Sequence, residues 1–262
     1  MLNWFERFAF RTMRFLNEGP AAALAYLWQR YALIPLVGLF FTRRLEVRGL
    51  ERVTALPKDA RILLVANHRT FFDLFALGFV LWKRGGLTQR LNFPVRANFF
   101  YEHPLGLFLC VAMSGGTMFP PIFRPVEKKP FNKVSLGILI EKLRTPGQLI
   151  GFHPEGTRSK TDDPYTLLPA QPGAGEIALK ARPYVVPAFI TGVSNSIWRE
   201  LCAGLRGKGK VVAVFGDPVE LPEIEGDTRL SHHKKLADQF NQRILALAEE
   251  EKAVRGNLDR IS

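Results

Sequence analysis

The chain has 262 residues, long enough to bury a substantial core in one large domain or in a domain with an appendage. Nearly half of it is apolar and 23% is charged, which excludes a disordered chain, and 36 lysines and arginines against 24 acidic residues give a net charge of +12. That field attracts nucleic acid, anionic lipid or phosphorylated substrates without choosing among them. The two cysteines exclude a disulfide framework, and with no Cys-x-x-Cys they lend little support to a metal or redox role.

The N-terminal run MLNWFERFAFRTMRF lacks the layout of a signal peptide, so a reducing, cytoplasm-facing location is expected. Residues 1–17 fit a helix with Arg7, Arg11 and Arg14 on one side and Leu2, Phe5, Phe8, Phe15 and Leu16 on the other, as in a helix lying in a membrane interface. Residues 20–41 form the longest apolar stretch, but a span needs about 20 uninterrupted apolar residues. Gln29 and Arg30 interrupt this one and Pro35 should kink it. The pattern predicts two short helices dipping into one leaflet, the alternative being a core helix behind a surface helix. Residues 1–41 therefore read as an interfacial helical hairpin, ahead of an α/β domain over 42–262.

Residues 42–53 alternate and should open that domain with a strand; ARILLVAN (60–67) reads as a strand buried on both faces. FFDLFALGFVLWKR (71–84) has helical spacing and stops at Gly85-Gly86. Short strands are predicted over 94–100 and within 116–125, a helix over 132–144 and a strand over 148–154. A short helix over 175–181 and strands over 184–192 and 210–221 follow, then an amphipathic helix over 228–253 with Leu236, Phe240, Ile244 and Leu247 on one stripe. Strands alternating with helices predict an α/β fold, a central mixed and largely buried sheet flanked by helices.

Two stretches look chemical. His68 directly follows the 60–67 strand, at the carboxyl edge where open α/β sheets bind ligands, and Asp73 lies about one turn into the next helix. A carboxylate on one ring nitrogen fixes the tautomer and raises the basicity of the other, making His68 a candidate general base; the plainer reading is a capping aspartate beside a surface histidine. FHPEGTRS (152–159) follows the next strand. Its backbone amides, hydroxyls and guanidinium suit a phosphate, and Gly156 allows close approach; the plainer reading is a polar turn.

Other patterns carry less. GAGEIA (173–178) follows no strand, GVSNS (192–196) lacks the last glycine of a nucleophile elbow, GLRGKGK (204–210) reads as a basic loop, and His232-His233 read as solvated. His68, Asp73, His153 and Glu155 have no zinc-like spacing, so no metal is expected.

Taken in order, these segments resemble the glycerolipid acyltransferases, the lysophosphatidic acid and glycerol-3-phosphate acyltransferase family. NHRTFFD (67–73) is similar to its NHxxxxD block and FHPEGTRS to its EGTR block. MFPPIFR, ending at Arg124, resembles the second block, and YVVPAFI, centred on Pro187, the fourth. Two departures stand out: LPAQPGAG replaces the family's Phe-Lys pair, which leaves one basic contact to the acceptor phosphate unassigned, and the second block carries a proline pair.

The resemblance implies acyl transfer from acyl-CoA or acyl carrier protein to the hydroxyl of a lysophospholipid or glycerol phosphate, 1-acylglycerol-3-phosphate foremost. His68 held by Asp73 would act as general base without a covalent intermediate. Arg124 and Arg158 would pair with phosphate, with Gly156 and Thr157 assisting. Glu155 and Pro187 carry over as substrate-binding positions. No cofactor is implied, the partners are the membrane lipid and the acyl donor rather than nucleic acid, and the location is monotopic on the cytoplasmic face. The rival readings are a thioesterase or lipid hydrolase using the same pair, and a basic nucleic-acid-binding protein.

Overall fold

The structure is a computed structural model that describes residues 2–223 and 226–261. Its helices α1 (Trp4–Asn17) and α2 (Ala21–Phe41) precede strand β1 (Leu45–Arg48), helix α3 (Leu50–Thr54) and strand β2 (Ile62–Ala66). Helix α4 (Asp73–Phe79), which widens into a π turn over Val80–Arg84, leads to β3 (Arg90–Asn92) and β4 (Val95–Arg96). Helices α5 (Ala97–Phe100) and α6 (Pro104–Phe108) come next, then β5 (Pro121–Ile122), α7 (Pro130–Arg144) and β6 (Gln148–Phe152). The chain closes with α8 (Gly173–Ala181), β7 (Tyr184–Thr191), α9 (Ile197–Arg206), β8 (Val211–Phe215) and α10 (Leu230–Ile261).

The six-stranded sheet has the order β1-β8-β7-β2-β6-β3. It is mixed: β7, β2, β6 and β3 run parallel, while β8 is antiparallel to β7 and β1 follows β8. Each residue of β2 is fully buried, because helices cover both faces. The pleat divides them: Ile62, Leu64 and Ala66 join the core under α1, α2 and α4, and Leu63 and Val65 join the core under α7, α8 and α10. The parallel strands β2, β6 and β7 all end at one edge, so the segments after them converge there.

The N-terminal hairpin packs differently from its sequence pattern. The buried side of α1 is Glu6, Ala9, Met13 and Asn17, so Trp4, Phe8 and Phe15 share the outer half with Arg7, Arg11 and Arg14 instead of facing away from them. Helix α2 is continuous where two short helices were predicted. A π turn over Gln29–Leu33 opens the ladder just before Pro35 and accommodates the missing N–H and the ring. The polar pair at its middle is spent on the domain, Gln29 Nε2 donating to Gly115 O at 2.8 Å and Arg30 Nη1 to Leu87 O at 2.7 Å. Ala9, Met13, Leu33 and Phe41 belong to the same core as Ile62 and Leu64, so residue 41 marks no boundary between cores.

Two further departures have local causes. The strand predicted over 94–100 stops after Arg96, where its parallel partner β5 ends at Ile122 and the next residue, Phe123, gives its N–H and its carbonyl to the Asn132 side chain. The basic loop predicted at 204–210 begins inside α9, whose inward positions are Glu200 and Gly204 instead of large apolar residues. His233, read as solvated, is buried and bonded to Thr228 Oγ1 at 2.8 Å.

Candidate active site

Strand β2 hands over to the site through Asn67, whose side chain continues the ladder by bonding both Ile190 N, at 2.8 Å, and Ile190 O, at 2.9 Å. His68 therefore leaves the sheet from an anchored position. The loop after it folds back because Asp73, the first residue of α4, gathers its donors. Arg69 N and Thr70 N each donate to Asp73 Oδ2 at 2.7 Å, and Thr70 Oγ1 donates to Oδ1 at 2.5 Å. His68 Nδ1 lies 3.3 Å from the same Oδ2. A carboxylate so surrounded holds its partner ring in the Nδ1–H form, leaving Nε2 with a lone pair on the cavity side.

His153 adds a third constraint. Its ring stacks on His68 with centroids 3.8 Å apart and planes 8° from parallel, and its Nδ1 is 3.0 Å from Ala66 O. Burial first, and then the positive charges of Arg158 and Arg96, push the His68 imidazole down to about 3. Burial, with His68 alongside, likewise pushes His153 down to about 3. Both rings are neutral at physiological pH, so His68 is free to take a proton. Burial raises the Asp73 carboxyl above its ordinary value, against the opposing effect of His153 and its hydrogen bonds.

Among the described residues, His68, Asp73 and His153 also form a cluster of metal-ligand types. The arrangement suits a metal poorly: both Asp73 oxygens already accept N–H or O–H donors, and two parallel stacked rings aim their lone pairs alongside each other instead of at one point.

The EGTR segment is zipped to this loop. Ser159 N donates to His68 O at 2.8 Å, and Arg69 binds Thr161 O at 2.6 Å and Ser159 Oγ at 3.1 Å. Glu155, carried over as a substrate-binding residue, is buried, and its two oxygens accept His68 N and Leu168 N, each at 2.7 Å. It braces the loop from within the cavity lining. Gly156 sits at φ +65°, a left-handed turn that an L side chain rarely adopts, and leaves the backbone open to the cavity.

The cavity beside His68 encloses about 520 Å³. Phe71, Leu74, Phe93, Val95, Phe100 and Phe152 give it an apolar lining, and Arg96, Arg124 and Arg158 a basic one. Burial, then the charges of Arg124 and Arg158, lower Arg96, so the guanidiniums feel one another. Among the described residues, no carboxylate pairs with any of the three. Arg96 donates to the Thr157 hydroxyl, and Arg158 Nη1 donates to Asn195 Oδ1 at 2.7 Å. Asn195 also accepts from Phe71 N at 3.1 Å, tying the segment after β7 to the His68 loop.

His68, Asp73, Arg124, Gly156, Thr157 and Arg158 thus come together, and Pro187 does not. It lies mid-strand on β7 opposite Val65, and it lines a separate cavity of about 870 Å³ between the segment after β8 and α10. That space is larger but lies away from the His68–Asp73 pair. Sequence reasoning missed Arg96, Asn195 and the stacking of His153. Asn195 stood in a motif judged only against a nucleophile elbow, and Arg96 in a stretch read as an ordinary strand.

Residues 44–191 match the family described as Acyltransferase. Over 192 residues, 73% of this chain and 83% of the relative, the sequence is 25% identical to the 1-acyl-sn-glycerol-3-phosphate acyltransferase of Bacillus subtilis. It is 26% identical over 162 residues to the glycerol-3-phosphate acyltransferase of Pseudoalteromonas atlantica, covering 56% of this chain but 18% of that longer protein. The structure of the 1-acyl-sn-glycerophosphate acyltransferase of Thermotoga maritima has the same fold, with a TM-score of 0.50 at 17% identity over 92% of this chain and 94% of that one.

Proposed function

Since the chain belongs to the Acyltransferase family, we propose that it transfers a fatty acyl group from acyl-CoA or acyl carrier protein to the free hydroxyl of a lysophospholipid, 1-acylglycerol-3-phosphate foremost, in phospholipid synthesis. The observation that carries this reading is one cavity lined by a neutral, carboxylate-held histidine, by apolar side chains and by three guanidiniums that have no carboxylate partner among the described residues. An acceptor with a phosphate at one end, a hydroxyl in the middle and an acyl chain at the other matches these three features.

In this mechanism His68 Nε2 takes the acceptor's hydroxyl proton as its oxygen attacks the thioester carbonyl. The tetrahedral intermediate then collapses, the C–S bond breaks, and the imidazolium returns the proton to the thiolate. Asp73 holds the ring and stabilises the imidazolium without itself being protonated. Arg96 and Arg158 depress His68 only while their charge is unopposed, so a bound phosphate raises the basicity of His68 when the acceptor is in place. The guanidiniums supply paired donors to phosphate oxygens, with the Thr157 hydroxyl and the open backbone at Gly156 beside them. No step requires a metal or an organic cofactor.

The outer faces of α1 and α2 support monotopic membrane attachment, on the cytoplasmic side where the acyl donors are found. Trp4, Phe8, Phe15, Leu24, Trp28 and Tyr31 are exposed there beside arginines. Helix α2, at 21 residues, is long and apolar enough to cross a bilayer, but its inner side is committed to the domain through Gln29, Arg30, Leu33 and Phe41. The direct test offers radiolabelled acyl-CoA and acyl carrier protein against 1-acylglycerol-3-phosphate, glycerol 3-phosphate and neutral lysolipids. Acyl transfer that requires a phosphate on the acceptor is expected, whereas acceptor-independent release of free fatty acid would identify a hydrolase instead.

A further inference from the structure

Helix α9 follows the segment that carries Asn195 and has an unusual outer face. Glu200 and Gly204 turn inward, while Ile197, Trp198 and Leu205 are 53%, 73% and 55% exposed. Trp198 and Leu205, seven positions apart, lie on one stripe, with the exposed Arg199 and Arg206 beside it. The one acid of the helix, Glu200, is buried in an ion pair with Arg44 at 2.7 Å, so the charge left outside is positive. A lone surface leucine needs no explanation, but an exposed indole continuous with other apolar residues does.

The continuity comes from the contact with α2. The two backbones touch at Gly204, where an added Cβ would lie 2.1 Å from Leu39 O, and Arg43 Nη1 donates to Leu205 O at 2.8 Å. On α2 the exposed residues Leu24, Trp28, Tyr31 and Leu39 follow one helical stripe, about 22 Å long at 1.5 Å per residue. The stripe thus ends at Leu39, whose carbonyl faces Gly204 of α9, next to the exposed Leu205.

We propose that α9 is a second lipid-contacting element, which inserts Trp198 and Leu205 into the interfacial layer of a bilayer bearing anionic phospholipid, beside the N-terminal hairpin. The inference rests on the reading of residues 1–41 as membrane-attached. An indole is suited to that layer because its body is apolar and its N–H polar. Arg43, Arg199 and Arg206 rim the apolar strip and complement lipid phosphates. Because Asn195 lies just before α9 and bonds Arg158, the docked helix also sets the depth at which the basic wall of the cavity meets the headgroups.

The test is flotation of the full-length protein with vesicles of phosphatidylcholine containing about one third phosphatidylglycerol. Trp198→Ser with Leu205→Ser should lower the partition coefficient about ten-fold with the melting temperature preserved. In parallel, an environment-sensitive dye on Cys202 reports without any substitution, since this thiol is exposed on α9 and Cys110 is buried. A blue shift on adding the vesicles is expected. Unchanged flotation of the double variant, with an unresponsive dye, would overturn the role of α9. If Phe8→Ser with Phe15→Ser still weakened flotation in that case, the hairpin reading would stand alone. Wild-type protein that fails to float would overturn both. A dye that responds to acyl carrier protein but not to vesicles would also overturn the proposal, by showing a protein-docking face.

Discussion

The two walls that meet at His68 are built to opposite specifications. On the dyad side, Asp73 is 1% exposed and each oxygen is committed, so the ring it holds has one place to be. On the arginine side, Arg124 and Arg158 are exposed and have no carboxylate partner among the described residues. In the proposed mechanism the contrast follows from what each wall has to do. A proton must be taken at one atom, which needs fixed geometry, whereas a phosphate offers several oxygens and is held by charge that can adjust. Substitutions on the first wall should therefore act on turnover, and on the second mainly on acceptor affinity.

The sharpest way to break that division is at His68. His68→Ala should lower kcat by about 100- to 10,000-fold, the usual contribution of a positioned general base, with the fold intact by circular dichroism. Asp73→Asn should approach this loss, because an amide oxygen cannot satisfy the donors that two carboxylate oxygens now satisfy, and acceptor KM should move less than kcat. Near-normal turnover in folded His68→Ala protein would remove the mechanism. Next in size is the basic wall. Losing one charge-assisted contact costs about 1.5–3 kcal/mol, so Arg158→Ala and Arg96→Ala should each raise acceptor KM ten-fold or more. Lysine should rescue only in part, since it lacks the paired fork. A change in donor KM instead would show that the walls have been assigned the wrong ligands.

Smaller effects should appear against pH. Because His68 is pushed down to about 3 in the free protein, the acid limb of kcat/KM should lie well below the ordinary histidine value of 6.5. Stability carries the complementary sign. Both rings are neutral when folded and take up protons when unfolded, so their contribution is complete above pH 6.5 and is lost as pH falls from 6.5 toward 3. Each ring adds about 1.4 kcal/mol per pH unit at most within that window. His153→Phe keeps a flat ring against His68 but cannot protonate, so its acid unfolding should be shallower by about one proton, measured by denaturant titration at several pH values.

What was legible in the sequence follows the same divide. His68 and Asp73 could be paired in advance because both sit on one short segment between a buried strand and a helix. The fully apolar run at 62–66 identified the central strand for a similarly local reason. Arg96 could not be found that way, since its tie to Thr157 bridges 61 positions. Glu155 was carried over with the EGTR block as a substrate-binding position, and its two backbone partners can be seen only in three dimensions. Helix α1 was divided into an aromatic and an arginine side, but its inner side is a narrow strip of Glu6, Ala9, Met13 and Asn17, which leaves Trp4, Phe8 and Phe15 outside together with the arginines. Helix α9 escaped notice because its inward positions include a glycine and a salt-bridged acid.

Asn17, at the end of α1, has consequences for how the chain is made. Its side chain bonds Gly116 O at 2.9 Å and Asn92 Nδ2 at 2.7 Å, and its own carbonyl accepts from Arg90 and from Lys142. These partners lie 73 to 125 positions downstream. During synthesis the first two helices are therefore complete long before the groups that seat their inner sides exist. The nascent hairpin must pass that interval with its inner side uncovered. Truncating the hairpin would remove Ala9, Met13, Leu33 and Phe41 from the core they share with Ile62 and Leu64.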